Sequence, residues 1–264
     1  MKLKFIAAAV ALVASGSSFA FITGPNDGVD AFGTPAELFL TVWQQSGTTG
    51  AVNRSFTFDT GVTLVGMQAN QHTNLFINQT ISGSSEFAAF LAAGSSTAFS
   101  YNVSAGDRTD SPLNVLLQTY AGTSVVPKTN LNLANALDAM QGYVGANNAT
   151  GTHASGAANG WSFNTSNDEY FMSNASNTWL GSTGVNSVAV GTSAMFGEML
   201  QNGDAGGNLT SNTVYAGKML LAADASNNYV LQYQVQAVPE PTGIALALAG
   251  FGLVGGIARR RKSV

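Results

Sequence analysis

Alternation of apolar and polar positions predicts β-strands in the middle of the chain. Glu37 to Trp43 is rich in apolar residues, and strict alternation begins at Phe56 within residues 52–58. Residues 62–67 are expected to pair with this second stretch across a turn at Asp59-Thr60-Gly61. The pattern therefore predicts a first antiparallel hairpin.

A second hairpin gives the clearest β signal. Residues 229–235 alternate strictly, and residues 214–222 precede them across the polar segment 224–228. The alternating apolar positions are Tyr229, Leu231, Tyr233 and Val235. Two shorter stretches also place apolar side chains on one face, namely Phe99, Tyr101 and Val103, and Leu113, Val115 and Leu117. These patterns favour a mainly antiparallel sheet.

Helical signals are fewer. Asn130 is a candidate N-cap for a helix that Gly142 and Gly145 loosen. Apolar residues recur in it at helical spacing, at Leu133, Leu137, Met140 and Val144. Residues 85–92 predict a shorter helix, with Phe87, Phe90 and Leu91 on one side, and residues 193–202 predict a third.

One further segment predicts a loop, and the pattern as a whole predicts the fold class. Residues 145–160 are rich in Gly, Ala and Asn and predict a mobile surface loop. The whole pattern predicts a mainly β fold, an antiparallel β-sandwich or jelly-roll-like domain with a few short peripheral helices. No charge run or clear repeat divides the middle of the chain, which favours one domain.

The N-terminus differs from the middle of the chain. Lys2 and Lys4 precede an apolar run, residues 5–14, and Ser18-Phe19-Ala20 forms a small-x-small cleavage site. This order is typical of a secretory signal peptide over residues 1–20, with the mature chain beginning at Phe21. The alternative is a buried N-terminal helix.

The C-terminus carries a second apolar stretch. Pro239, Glu240 and Pro241 precede residues 242–258, which contain no charge, and a basic cluster follows at Arg259, Arg260, Arg261 and Lys262. At ~1.5 Å per residue, a transmembrane helix over 242–258 would reach ~26 Å, enough for a thin hydrocarbon core. The positive-inside rule keeps the four cations in the cytoplasm and places the preceding chain across the membrane. The two prolines favour extended, exposed backbone over 238–241, which suits a protease.

This tail resembles a PEP-CTERM sorting signal. Its three parts are the motif at 238–241, the span at 242–258 and the basic stop at 259–262. The resemblance implies a Gram-negative host that makes exopolysaccharide, transient anchoring in the inner membrane facing the periplasm, and processing near the motif by an exosortase-type membrane protease. It implies delivery to the cell surface or the extracellular matrix. The chain then divides into residues 1–20 (signal peptide), 21–237 (β passenger domain) and 238–264 (sorting tail). A permanent single-pass anchor is the alternative.

Charge excludes one class of partner. Without the two end segments, four cations and thirteen acids remain, a formal charge of −9 with His neutral. The cations are Arg54, Arg108, Lys128 and Lys218. So few cations cannot form the basic surface that phosphate backbones require, which argues against nucleic acid as a partner. A weakly charged surface rich in Asn, Ser, Thr and Gly is compatible with binding polysaccharide, and it is also the composition of many secreted β proteins.

Candidate catalytic or metal-binding residues are sparse. His72 and His153 have no second histidine at metal-ligand spacing, and the chain has no cysteine. Short carboxylate groupings offer hard oxygen ligands in predicted loops, at Asp27 and Asp30, Asp107 and Asp110, Asp168 and Glu169, and Asp204 to Asn208. None follows the EF-hand pattern. The prediction is therefore no cofactor, with calcium as the alternative.

The sequence thus predicts a non-enzymatic exported protein that acts as a structural or adhesive element of the biofilm matrix, with exopolysaccharide as a partner. The alternative is a secreted protein that binds or hydrolyses carbohydrate, with Trp161 or Trp179 in a concave site.

Overall fold

The computed structural model describes residues 22, 24, 36–44, 54–93, 99–108, 114–122, 124–153, 160–165 and 188–235. Within these ranges the strands are β1 (Glu37–Gln44), β2 (Arg54–Thr63), β3 (Asn78–Thr80), β4 (Ser100–Asp107), β5 (Val115–Tyr120), β6 (Trp161–Asn164), β7 (Val188–Ala189), β8 (Ala194–Leu200), β9 (Ser211–Ala223) and β10 (Tyr229–Val235). The helices there are α1 (Leu64–Ala69), α2 (Ser85–Ala92) and α3 (Asn130–Asn148).

The described strands form one antiparallel sheet in the order β3-β10-β9-β8-β5-β4-β1-β2-β6, with β7 beside β4. The prediction of a mainly antiparallel β domain is therefore confirmed. The sandwich prediction needs two separate sheets, whereas the order of the described strands is unbroken from β3 to β6. The sheet instead curls, so that strands far apart in this order approach the same helix.

The concave side of the sheet, here called the inner face, packs around α2. Phe87 of α2 contacts Phe56 of β2 at 4.9 Å between ring centroids and Tyr229 of β10 at 5.2 Å. Because β2 and β10 lie near opposite ends of the sheet, one aromatic side chain joins both ends. Curling therefore buries apolar surface that a flat sheet would expose to water.

The opposite side, here called the outer face, is covered in part by α3. Leu133, Leu137, Met140 and Val144 of the helix are buried with Phe39 and Trp43 of β1. β1 is buried along its whole length because its side chains belong to a core cluster on each face of the sheet. The spacing of these four helical residues was predicted correctly, and so were the bounds of α2 and β10, whereas β9 (Ser211–Ala223) begins three residues before the predicted 214–222.

The first predicted hairpin is wrong. β2 continues through Gly61, whose φ of 63° lies in the left-handed region, to Thr63. The Thr60 hydroxyl donates to the Leu38 carbonyl at 2.6 Å, which holds the irregular pairing with β1 together. Residues 64–69 then form α1, because the Thr63 hydroxyl accepts from the Gly66 amide and caps the helix.

The third predicted helix is also wrong, since residues 194–200 form β8. Phe196 packs on the inner face, whereas Met195 and Met199 pack against α3 on the outer face. A strand buried on both faces has no period-two alternation, so its apolar run is easily mistaken for a helix.

α3 begins one residue earlier and ends later than the sequence indicated. Thr129, not Asn130, is the N-cap, with its hydroxyl accepting from the Asn132 amide at 3.2 Å. The helix continues past Gly142 and Gly145 to Asn148, and the following turn buries His153. The predicted loop at 145–160 is therefore wrong for residues 145–148, which continue α3, whereas residues 149–153 form a turn; residues 154–159 lie outside the described part.

The predicted signal peptide at 1–20, the span at 242–258 and Leu113 also lie outside the described residues. Among the helices the structure describes, none has the length and apolar character needed to cross a membrane.

Candidate functional site

The residues predicted to carry sorting all follow the described part of the chain. Pro239, Glu240, Pro241 and the basic cluster Arg259, Arg260, Arg261 and Lys262 come after Val235, where β10 ends. The structure therefore shows what the tail is attached to, and that is the β9–β10 hairpin.

The hairpin is fixed by its turn and its register. The Asp224 carboxylate accepts from the amides of Ser226 and Asn228 at 2.8 and 2.9 Å, and Asn227 takes the left-handed backbone conformation with φ 60°. Asn is one of the few side chains that adopts this conformation readily. Pairing then runs without a shift from Tyr229–Ala223 to Val235–Gly217. β10 is thus held along its whole length before the tail begins.

An open groove of about 570 Å³ lies on the outer face of this hairpin. Its lining residues are Asn74, Leu75, Ser193, Ala216, Lys218, Gln232, Gln234 and Val235. Its volume falls within the range of about 300–1,000 Å³ that small-molecule sites occupy. The groove is beyond the part of the outer face that α3 covers.

Amide side chains line one wall of the groove. Gln234 donates through Nε2 to Oε1 of Gln232 at 2.8 Å, and Gln232 donates through Nε2 to Oδ1 of Asn78 at 3.1 Å. Each hydrogen bond in this row of side chains orients the next amide group. The remaining donor and acceptor atoms then face the groove. The wall is therefore a preorganised row of neutral hydrogen-bonding groups.

Leu75 forms part of the rim in an uncommon conformation. Its φ of 55° is left-handed, its amide donates to the Tyr233 carbonyl at 2.8 Å, and its side chain is 43% exposed. The neighbouring Asn74 accepts through Oδ1 from the Val235 amide at 3.0 Å. These two bonds hold a strained residue and an exposed apolar side chain against the end of β10.

The other outer-face candidate, a buried polar layer under α3, is closed to ligands. Asn147 of α3 accepts through Oδ1 from the Ser162 hydroxyl at 2.7 Å and from the Asn164 amide at 2.9 Å. Tyr143 shares its hydroxyl with Thr57 at 2.5 Å. All five side chains are buried. This layer therefore joins the helix to β2 and β6, and its described side chains present no open surface to solution.

Asp59 lies in the same closed region. It is fully buried, its Oδ1 accepts from the Gly61 amide at 2.8 Å, and its Oδ2 has no hydrogen-bond partner among the described residues. Burial raises the pKa of Asp59 to about 7. A shifted carboxyl is often catalytic, but this one is fully buried and does not line the groove.

The predicted metal ligands do not form a site within the described residues. No group of three His, Asp or Glu side chains suited to a metal ion occurs there. His72 is exposed on the turn after α1, whereas His153 is 2% exposed beyond α3. Asp27, Asp30, Asp110, Asp168 and Glu169 lie outside the described part. Arg108 beside Asp107 pairs with Asp138.

The loop at Asp204 to Asn208 has a different explanation. Three carbonyls in and just before it, those of Asn202, Gly203 and Ala205, converge on Nδ2 of Asn130 at 3.0, 3.0 and 2.9 Å. Asn130 thus fills a cage of oxygens with its own amide. Because this contact spans some seventy residues of chain, no local sequence pattern could reveal it.

Trp161 does not line the groove on the β9–β10 hairpin. Trp161 stacks on Phe58 of the inner face with ring centroids 6.1 Å apart, and Trp179 lies outside the described residues. None of the eight residues lining the groove is aromatic or acidic. The sequence-based choice of aromatic residues for carbohydrate binding is therefore wrong for Trp161.

A β domain joined to an apolar stretch with a basic end is the arrangement of a protein with a C-terminal sorting signal. The family model of the PEP-CTERM protein-sorting motif matches residues 237–262, about a tenth of the chain. The chain therefore carries a PEP-CTERM sorting motif, which confirms the prediction made from its tail. This motif implies an exported protein with a transient membrane anchor. It also implies processing by exosortase, which is a membrane protein. Comparison with curated proteins and with solved structures finds no match.

Proposed function

We propose that this chain is a non-enzymatic exported protein that acts as a structural or adhesive element of the cell surface or of an exopolysaccharide matrix. The match of the sorting motif to residues 237–262 carries the proposal. A signal peptide at 1–20 starts translocation, and the apolar stretch at 242–258 holds the chain in the inner membrane with its β domain in the periplasm. Arg259, Arg260, Arg261 and Lys262 stop further transfer, and processing at Pro239, Glu240 and Pro241 releases the domain.

The fold supports this use of the tail. β10 completes its pairing with β9 at Val235, two residues before the matched segment begins. Cleavage beyond Val238 therefore leaves every described strand and its hydrogen bonds intact. A domain that is complete without its tail can lose the tail and remain folded.

The experiment replaces Pro239, Glu240 and Pro241 by alanine in the producing bacterium. We expect the uncut precursor to accumulate in the inner membrane, because extended backbone and the cleavage motif are both lost. The measurement is the intact mass of the protein in the membrane, surface and medium fractions. Pro127→Ala, an exposed proline in the β domain, is the matched control. An unchanged mature mass and location in the triple variant would contradict the sorting role.

The groove favours binding over hydrolysis as the second candidate function. Glycoside hydrolysis uses a pair of carboxyl groups placed across the bond that breaks. No carboxylate lines the groove, whose side chains are amides, small residues and one lysine. Carbohydrate binding is therefore the alternative that a specific observation supports, and the proposal includes no cofactor.

A further inference from the structure

We propose that the groove over β9 and β10 binds an acidic polysaccharide, a sugar chain bearing carboxylates. This inference rests on the proposed function, because it names the partner that a matrix protein would bind. The site is defined by the eight lining residues given above, which come from the turn after α1, from the residue before β8 and from the hairpin itself.

The first observation is the chemistry of the wall. Hydroxyl-rich ligands need donors and acceptors that are already oriented, because ordering flexible side chains on binding costs free energy. Gln234 is held by its hydrogen bond to Gln232 along β10, and Gln232 is held by its hydrogen bond to Asn78 of β3. A row of fixed amides offers both donors and acceptors and suits sugar hydroxyls better than a purely apolar ligand.

The second observation is charge. Lys218 lies directly opposite Gln234 in the hairpin register and is exposed. It forms no ion pair with any residue that the structure describes. The domain as a whole is acidic, yet no acidic side chain lines the groove. A lone ammonium group beside neutral amides favours a ligand that carries a carboxylate.

The third observation is the shape. Ala216 and Ser193 are small and exposed, and they leave the floor of the groove open. Leu75 and Val235 add apolar contact at the rim, where the carbon-bound hydrogens of a sugar ring can pack. The left-handed backbone of Leu75 keeps that side chain in place at a conformational cost, as residues at binding sites often do.

Titration of the full chain in detergent micelles tests the site. The probes are a hexasaccharide of uronic acids and the neutral hexasaccharide of glucose, measured by calorimetry. We expect the acidic probe to bind more tightly, and Lys218→Gln to weaken its binding about tenfold because one charge-assisted hydrogen bond is lost. Binding of the neutral probe should not change in this variant. Ala216→Trp, which fills the floor, should abolish binding of both probes.

Lys128→Gln is the matched control, because it removes the same charge at a residue that does not line the groove. Thermal unfolding of all three variants shows whether they fold. Equal weakening by Lys128→Gln and Lys218→Gln would mean non-specific attraction and would overturn the site. Failure of both probes to bind, or full binding by a folded Ala216→Trp variant, would also overturn it. Binding is measured on the purified chain, and sorting is measured in cells. Failure of the binding prediction therefore does not contradict the sorting proposal, and the reverse also holds.

Discussion

The inner and outer faces of the curled sheet are stabilised by different interactions. On the inner face, rings pack on rings: Phe87 contacts Phe56, Phe90 and Tyr229. On the outer face under α3, the polar layer of Tyr143, Asn147, Thr57, Ser162 and Asn164 is satisfied by hydrogen bonds. The inner face depends on excluding water, and the outer face depends on correct pairing of polar groups.

A buried charge on each face shows the same difference. Arg54 is buried on the inner face, where it donates to the Phe90 and Leu91 carbonyls at the end of α2 and lies 5.0 Å from the Phe90 ring centroid. These carbonyl oxygens and the aromatic ring stabilise the permanent positive charge of Arg54. Asp59 on the outer face has one amide donor, from Gly61, and a raised pKa. The outer face is therefore the one that responds to pH.

The largest expected effect comes from breaking the inner face. Phe87→Ala should lower the free energy of unfolding by about 3–5 kcal/mol, because it removes the ring that joins β2 to β10 and leaves a cavity. Chemical denaturation measures the loss. Val65→Ala, at a side chain that is 59% exposed, is the control and should change stability little. A loss below about 1 kcal/mol for Phe87→Ala would show that the sheet curls without this contact.

The inner face was also the part that the sequence predicted best. Residues 229–235 alternate because only one side of β10 is covered by apolar contacts, so periodicity identified the strand. β8 was missed because both of its sides are buried, and the extension of β2 was missed because it depends on Gly61 and on the Thr60–Leu38 bond. Local patterns reveal a half-buried strand but not a contact made by distant residues.

The polar layer and the groove could not be predicted for the same physical reason. Asn147, Ser162 and Asn164 have the composition of a surface loop, and only their mutual hydrogen bonds make them core residues. The groove joins Asn74 and Leu75 to Ser193 and to the hairpin, segments separated by more than a hundred residues. The sorting tail differs because its three parts are consecutive in the chain, so order alone identified it.

The second expected effect tests the pH response of the outer face. The pKa of Asp59 is about 7 in the folded chain and about 3.9 in an unfolded one. The unfolded state therefore loses this proton first as pH rises. Titration of Asp59 therefore lowers the free energy of unfolding progressively between about pH 4 and about pH 7. The total loss is up to about 4 kcal/mol.

Asp59→Asn removes this response and keeps an oxygen for the Gly61 amide. Denaturation midpoints of both proteins at pH 4 and pH 8 give the measurement. We expect the variant to gain stability relative to the natural chain at pH 8. Asp59 interacts with a neighbouring ionisable group, so the difference between the two proteins reports the titration of that pair and not of Asp59 alone. Parallel stability curves between pH 4 and pH 8 would contradict the assignment.

The smallest expected effect separates hydrogen bonding from packing on the outer face. Tyr143→Phe keeps the ring beside Phe39, at 6.1 Å between centroids, and removes only the hydroxyl that Thr57 shares. The free energy of unfolding should fall by about 1–3 kcal/mol, because buried Thr57 loses a partner that water cannot replace. Tyr229→Phe, on the half-buried ring of the inner face, should cost less. A loss for Tyr143→Phe no greater than that for Tyr229→Phe in the same denaturation assay would contradict the prediction that the buried hydroxyl of Tyr143 contributes more than a half-buried one.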